Sequence, residues 1–524
     1  MKEAIWTDRL KTRLNACSLE VLQNDHNFNA IGTLCDGDGD RNIADNGKDT
    51  RQMEDECNRS YHQPLVIGCY QLNEGSATNE GDTKKLESQG EDEHDGNRHN
   101  DQKEEDDKNA SSSENNSRSG ELRLYTISPK EETLKFGEPA QILETDSGVL
   151  DGKWFRRLCE GSTESSPLSR IDLDQSRSVL FATACASGKV NFYRLIQTRT
   201  TENSNNKNMD SHSSSLQYIS STQSWDSGGL CLSIAWDDYT PSSLNIDHTF
   251  SNDEGNTTST RIVSSYSGGQ LAVHNIHFLS NAASRHYPFN SQNNHNNHNN
   301  HNNNNNDRNI TDNTQAIKER EYMEIEETHR WNAHTLFKCP SEVWTTCFAT
   351  NSNYNTYHDT IISGGDDCKL KLWDLRTNLD TPTHVVGESE FEAGVTSVAF
   401  HPTLDHIFAS GSYDEGIRIW DMRYMTNNTK PLLRIPDLGG GIWRIKWHPE
   451  VEGKILIAAM HGGCRILNIP NFTSSTNIID DQPATIDILS SFTEHESMAY
   501  GADWILSKNN NEVAASCSFY DRQG

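Results

Sequence analysis

Most of the apolar residues in this chain fall into one recurring phrase. An apolar stub passes through small residues into a tight turn, and then into a strand whose apolar positions alternate with polar ones. The phrase is clearest in "LFATACASGKVNFYRL" (180–195), "RIVSSYSGGQLAVHNI" (261–276), "TIISGGDDCKLKLWDL" (360–375) and "HIFASGSYDEGIRIWDM" (406–422), and it returns in "ILIAAMHGGCRILNI" (455–469). A period of two residues predicts half-buried strands, and the Gly, Ser and Asp clusters between them predict hairpin turns. Between the phrases stand further apolar strands that end in an aromatic residue: "SVAFHP" (397–402), "IKWHP" (445–449) and "YGADW" (500–504).

The phrases keep a register. Trp373 and Trp420 are 47 residues apart, and so are Phe400 and Trp447. A period in the forties with several short strands per repeat is the signature of propeller blades. The pairs Trp373-Asp374 and Trp420-Asp421 resemble those of WD-repeat proteins, with the Trp expected between neighbouring blades and the turn residues closing the hairpin. "PLVIGCYQL", rejoined across an acidic stretch by "GELRLYTI", supplies one more phrase, and the incomplete "EVAASCSFYDRQG" (512–524) another, giving seven in all. The expectation is an all-β, seven-bladed propeller occupying 1–524 as a single domain, with a truncated last blade because no further strand follows. An open sheet edge is a liability; the N-terminal "NACSLEV" (15–21) is the natural candidate for the strand that joins the two ends of the ring.

Composition adds what the repeat conceals. Only 33% of the 524 residues are hydrophobic, and the net charge is −30. Residues 73–119 are acidic and almost free of apolar side chains, 198–215 are polar, and 280–316 contain "NNHNNHNNHNNNNN". Such segments bury too little to offset their ordering entropy and read as disordered insertions in the early blades. His295, His298 and His301 could hold a metal ion loosely, but a low-complexity tract gives no fixed coordination geometry, so no metal is expected. The acidity argues against direct nucleic-acid binding. The twelve scattered cysteines form no Cys-x-x-Cys pair, a pattern of reduced thiols. With neither an apolar leader nor a run of 18 apolar residues, a cytoplasmic monomer without membrane insertion is expected.

Five unusual phrases come in order: "GSYDEGIRIWDMR", "GGGIWRIKWHP", "AAMHGGCRILN", "ESMAYGADW" and "ASCSFYD". Together with "IGCYQL", "SGVLDGKW" and "ISGGDDCKLKLWD" they resemble the diphthine methyl ester hydrolase family, the WD-repeat member of the diphthamide pathway, sometimes labelled diphthine methyltransferase. The resemblance is dense from about 331 onward. It implies hydrolysis of the methyl ester of methylated diphthine on elongation factor 2, giving diphthine and methanol, without a cofactor. Elongation factor 2 would be the partner, along with other diphthamide-pathway proteins. No Gly-rich strand-to-helix fingerprint supports a methyl-donor cofactor. The rival expectation is a non-catalytic scaffold or adaptor, since propellers mostly bind proteins.

No Gly-x-Ser-x-Gly elbow and no His-Glu-x-x-His occur, so chemistry would come from side chains gathered on one propeller face. Turns within the phrases and blade-entry loops share a face, which gathers Asp366, Asp367, Tyr413, Asp414, Glu415, His461, Tyr520 and Asp521 on one rim. His461, in a turn where Asp or Asn is usual, is a candidate general base or acid; a histidine that only bonds its turn is the plainer alternative. His495, Glu496 and Ser497 place a base, an acid and a hydroxyl in a neighbouring loop, and a Ser497–His461 pairing is open. Trp443, Arg444, Tyr500 and Asp503, with Tyr413, Glu415 and Tyr520, complete the candidate substrate-binding set. Arg444 and Lys446 alternate and should point to one side. Asp414 is expected to close its hairpin, leaving Tyr413 and Glu415 to face a partner.

Overall fold

The computed structural model describes residues 2–3, 15–21, 63–72, 118–127, 137–156, 179–204, 207–223, 229–237, 258–279, 322–349, 357–387, 389–404, 406–425, 429–470, 472, 486–506 and 512–519. Tyr520, Asp521, the histidines of the Asn/His tract and nearly all of the acidic stretch lie outside these. The chain is an all-β propeller, and the helix content of the described residues is the 3₁₀ turn Met422–Tyr424 and the 3₁₀ residue Tyr357.

Six sheets carry four meandering strands each, innermost first. The first blade is Asn15–Val21, Gln63–Leu72, Arg118–Ile127 and Gln141–Thr145. The second is Val149–Arg156, Val179–Cys185, Val190–Ser204 and Lys207–Ser221. The third begins at Cys231–Trp236, the fourth at Thr345–Phe348, the fifth at Val395–Phe400 and the sixth at Arg444–Trp447. Lys2–Glu3 adds a parallel outer strand to the sixth. Ala499–Leu506 and Glu512–Ser518 form a two-stranded terminal sheet. The acidic stretch falls between two paired strands of the first blade, as the rejoined phrases imply. The polar run 198–215 differs from expectation. Most of it lies in the long strands Val190–Ser204 and Lys207–Ser221, whose paired backbone polar groups hold a sequence with little to bury.

Seven buried apolar clusters occur among the described residues, each seated between two successive sheets. Trp373 packs between the third and fourth blades and Trp420 between the fourth and fifth, as the repeat predicts. One cluster joins Leu19, Leu65 and Ile67 of the first blade to Ile505, Ala515 and Cys517 of the terminal sheet. "NACSLEV" therefore does join the two ends, but by packing; its hydrogen bonds go to Gln63–Leu72.

The aromatics at or near the ends of the inner strands have a second task. Trp154 Nε1 donates to Glu20 O (3.3 Å), Trp236 to Lys153 O (3.2 Å), Trp447 to Ala399 O (3.1 Å) and Trp504 to Lys446 O (3.1 Å). Each clips its inner strand to the inner strand of the preceding blade. The histidines that follow two of these aromatics tie down the next turn. His401 Nδ1 accepts the N–H groups of Thr403 and Leu404, and His448 Nδ1 those of Glu450 and Val451. His401 also lies against Trp447, 4.6 Å between ring centres.

Burial lowers the His401 pKa from 6.5 to about 4. A base whose folded pKa is depressed contributes stability that is complete above 6.5 and is lost as pH falls towards 4. Between pH 7 and pH 4.5 this one group should remove about 2 kcal/mol. His401→Asn keeps an acceptor for the turn. Denaturant melts at the two pH values should show the loss smaller by that amount in the variant; an equal loss in both proteins rejects the assignment.

Candidate functional site

Charged side chains fill one side of the propeller axis. On the inner strands, the residues one and three positions before Trp154, Trp447 and Trp504, and before Val21 in the first blade, point inward, because side chains alternate along a strand. Those positions carry Asp151 and Lys153 in the second blade, Arg444 and Lys446 in the sixth, Asp503 in the terminal sheet and Glu20 in the first. Lys153 Nζ reaches Glu20 Oε1 (2.8 Å) and Asp151 Oδ1 (2.9 Å). Lys446 Nζ reaches Glu20 Oε2 (2.6 Å) and Asp503 Oδ2 (3.3 Å), and Arg444 Nη2 crosses to Asp151 Oδ1 (3.1 Å). Neutral groups complete the set: Ser233 Oγ and Ile234 N donate to Asp151, and Val21 N to Asp503.

The three carboxylates and three cations balance, but not uniformly. Burial opposes the charge on Asp151, yet Lys153 and Arg444 outweigh it and bring the pKa to about 2. Burial likewise opposes the charge on Glu20, and Lys153, Lys446 and Arg444 together hold it below its ordinary value. For Asp503 burial wins over Lys446, and the pKa rises. Arg444, Lys446 and Asp503 are thus engaged with one another and with the ring. The alternation read from "IWRIKW" holds, and Asp503 carries more than a strand end.

Above this network lies a cluster of half-buried aromatic rings. Trp443, immediately before the sixth inner strand, packs 4.8 Å from Tyr500, 5.7 Å from Trp344 and 6.1 Å from Tyr413 between ring centres. Trp344 lies 6.1 Å from Tyr413, and its Nε1 donates to Asp366 Oδ1 (3.1 Å). Phe519 backs Tyr500 at 5.2 Å. Gly441 fits beneath because a Cβ there would come within 3.0 Å of both Met460 Sδ and the Tyr413 ring. Trp344 was not among the sequence candidates. It stands before an inner strand just as Trp443 does, and that shared position was the available signal.

The turn between Ile407–Ser412 and Ile417–Asp421 of the fifth blade is closed by Asp414, as expected. Asp414 accepts from Gly416 N and grips Arg418 through both oxygens (2.6 and 2.8 Å), so it closes the hairpin. Glu415 is exposed and sits at φ 63°, where other hairpins use Gly188 or Gly269. His461 is exposed at its turn. A backbone bridge pairs Met460 with Ala499, Ala499 N donating to Met460 O (3.0 Å), which sets the His461 turn beside the loop of His495, Glu496 and Ser497. His495 Nε2 meets Ser516 Oγ (3.0 Å), while Glu496 is exposed.

Asp367, expected on the rim, is instead buried. It holds His334 Nδ1 (2.7 Å) and Lys371 Nζ (3.0 Å), while His334 Nε2 meets Ser363 Oγ (2.8 Å). Ser, His and Asp thus stand in the order of a hydrolytic triad. His334 and Ser363 are both 0% exposed, and Trp373 Nε1 also donates to Ser363 Oγ (2.9 Å). No substrate reaches that hydroxyl; the chain of bonds fixes the fourth blade. Gly365 is obligatory beside it, since a Cβ would lie 2.6 Å from His334 Nδ1.

The WD domain, G-beta repeat family model matches residues 326–374 and 381–421, two repeats that each join the outer strand of one blade to the three inner strands of the next, from the third blade to the fifth. A curated protein of Dictyostelium discoideum, "Diphthine methyltransferase homolog", is 39% identical over 217 residues, covering 39% of this chain and 53% of the relative. The chain therefore spans about half the length of the curated relative it matches, and the likeness to the diphthine methyl ester hydrolase family stands on that segment. A chain from "Crystal Structure of Mitotic Checkpoint Complex" aligns over 77% of this chain and 84% of its own at 12% identity and a TM-score of 0.37.

The axial network predicts a pH-dependent stability. A carboxyl whose folded pKa is depressed from 3.8 to about 2 stabilises fully above pH 4 and loses that contribution as pH falls through 2. Asp151→Asn leaves Arg444 and Lys153 short of a partner and should cost about 3–5 kcal/mol at pH 7. At pH 3 the gap between the variant and the parent should narrow by about 1 kcal/mol. Denaturant melts at the two pH values measure both; a gap that does not change with pH removes Asp151 from the network.

Proposed function

We propose that this WD-repeat chain acts in the diphthamide pathway, hydrolysing the methyl ester of methylated diphthine on elongation factor 2 to diphthine and methanol. The bridge between Met460 and Ala499 carries the reading, because it sets an exposed histidine beside a loop that offers His495, Glu496 and Ser497. His461 acts as general base. It takes a proton from water as the water oxygen attacks the ester carbonyl carbon. The tetrahedral oxyanion collapses with cleavage of the carbon–methoxy bond, and the imidazolium returns its proton to the departing methoxide, releasing methanol. Glu496 supports the charge on His461, and Ser497 orients the water. Tyr413, Glu415, Trp443 and Tyr500 receive the substrate side chain. Arg444 and Asp503 hold the strands that carry Trp443 and Tyr500.

The relative's printed name speaks of methyl transfer. An all-β fold whose described helix is 3₁₀ alone supports hydrolysis over transfer from a nucleotide-like donor, which commonly uses a strand-to-helix phosphate or ribose site. The terminal sheet is, on this reading, the inner half of a seventh blade. Eight cysteines, from Cys69 to Cys517, are free thiols, which supports a reducing cytoplasmic setting, and no described helix is long and apolar enough to cross a membrane. A non-catalytic scaffold is the second reading, favoured by Phe337, 92% exposed at the tip of the Thr335–Leu336/Cys339–Pro340 hairpin.

Intact-mass analysis of elongation factor 2 bearing the methyl-esterified intermediate should show loss of one methyl group with turnover. His461→Gln should lower the rate by about 100-fold or more while leaving binding of the factor intact. Unchanged mass with retained binding selects the scaffold. Glu415→Gly supplies an independent check. It should raise stability by ~1 kcal/mol by relieving the left-handed backbone, and should weaken binding of the factor if Glu415 faces it; unchanged binding removes Glu415 from the interface.

A further inference from the structure

The repeat supplies its own comparison for the His461 turn. Asp367, Asp414 and His461 are spaced by 47 residues, and so are Lys371, Arg418 and Arg465, which follow them by four. The three cations lie on the third strands of the fourth, fifth and sixth blades, Lys369–Asp374, Ile417–Asp421 and Cys464–Asn468. Lys371 Nζ pairs with Asp367 Oδ2 (3.0 Å), and Arg418 Nη1 with Asp414 Oδ1 (2.6 Å). In both blades a carboxylate from the turn neutralises the cation of the strand that follows. The sixth blade keeps the cation and puts histidine where the carboxylate stood. His461 is exposed there, and among the described residues no carboxylate pairs with Arg465.

Arg465 retains the other half of the arrangement. Lys371 Nζ also donates to Ala333 O (2.8 Å) in the loop that enters the fourth blade, and Arg465 Nη1 donates to Leu438 O in the loop that enters the sixth. The guanidinium lies against glycine on two sides. A Cβ on Gly462, the residue after His461, would be 2.8 Å from Nη1, and one on Gly439 would be 2.9 Å from Nη2. Bare backbone at both positions seats the group beside the exposed histidine. Burial pulls the Arg465 pKa down, opposed by the Cys464 thiol and by Glu415 on the fifth-blade turn. A guanidinium carries five N–H donors, and Leu438 O takes one of them. A half-buried cation left without its carboxylate attracts an anion, and its planar fork fits a carboxylate best.

We infer that Arg465, beside His461, is the anion-receiving residue of the rim: it holds the oxyanion formed during hydrolysis and then the carboxylate of the acid product. The inference takes its ligand from the ester-hydrolysis reading and adds the group that receives the negative charge. As water attacks with its proton passing to His461, the carbonyl electron pair moves onto the ester oxygen, and the Arg465 N–H groups donate to it. That pair re-forms the C=O bond as methoxide leaves with the proton from His461. The acid then loses its own proton to water, and the carboxylate stays on the same donors. Arg465 transfers no proton at any step.

Two measurements on the full chain test this: turnover of elongation factor 2 bearing the methyl ester, and affinity for the factor bearing the free acid. Arg465→Gln should lower kcat about 100-fold with little change in KM. It should also bind the acid form about tenfold more weakly than the parent does, while the ester form binds equally. Arg465→Lys keeps the charge and the carbonyl contact that Lys371 makes in the fourth blade, and should recover kcat to within about tenfold of the parent. His461→Asp rebuilds the pair of the fifth blade; it should raise the denaturant midpoint and abolish preference for the acid. Parental kcat in an Arg465→Gln protein whose melt shows it folded overturns the inference and leaves the enzyme reading standing. An Arg465→Lys protein no better than Arg465→Gln also overturns it, because charge is then not what the site uses. A parent that leaves the ester intact refutes the enzyme reading, and the anion site then stands or falls on whether the acid form needs Arg465.

Discussion

The ring is held where its charges meet. Four inner strands, from the sixth blade, the terminal sheet and the first two blades, are linked by Arg444, Lys446, Asp503, Glu20, Lys153 and Asp151. These strands bring together the beginning and the end of the chain, the join that a propeller must make with residues far apart in sequence. Apolar packing between Leu19 and Ile505 excludes water there. It does not fix a register, because one apolar contact tolerates a slide that a set of buried ion pairs does not. The ion pairs are costly to desolvate. That cost is offset only when all six groups are in place, which makes the closed arrangement the one that satisfies them.

The same register positions in the other three blades hold Ser233 and Ala235, Thr345 and Cys347, and Ser397 and Ala399. The axis therefore has a charged side and a small, nearly neutral side. Trp443 and Tyr500 adjoin or belong to strands on the charged side, while Trp344 and Tyr413 reach in from the fourth and fifth blades. The aromatic mouth thus straddles the boundary between the two halves. Its geometry depends on the strands that the ion pairs hold, although none of its rings takes part in them.

How much of this could be read from the residues depends on distance along the chain. The blade phrases, the rejoined strands on either side of the acidic stretch, and the turn role of Asp414 are local patterns, and they hold. So does the pairing of Arg444 with Lys446, which needs only the period of a strand. The polar run 198–215 was misjudged because composition reports what a segment can bury, whereas a hairpin needs only that its backbone groups pair. Asp367 was placed on the rim because adjacent turn residues look alike in sequence; one of them, Asp366, stays at the surface and the other turns inward to His334. The axial network was legible in fragments, as a charged residue directly before an inner-strand Trp in "DGKW", "RIKW" and "GADW". Which charge meets which is a matter of ring order, and no single strand carries that.

Access, more than constellation, separates chemistry from architecture in this fold. Ser363, His334 and Asp367 have the bond order of a hydrolytic triad, yet the histidine's protonation is resisted by burial and the serine is closed to any ligand. A base sealed in that way has neither water to activate nor a substrate to meet. His461 has the opposite endowment, exposed to solvent on its turn. A site assembled from exposed loops must borrow its order from what docks on it. Were the substrate a folded protein, as proposed, that partner would supply the walls that exclude water, and the propeller the base. A charge of −30 favours the approach of basic surfaces at long range.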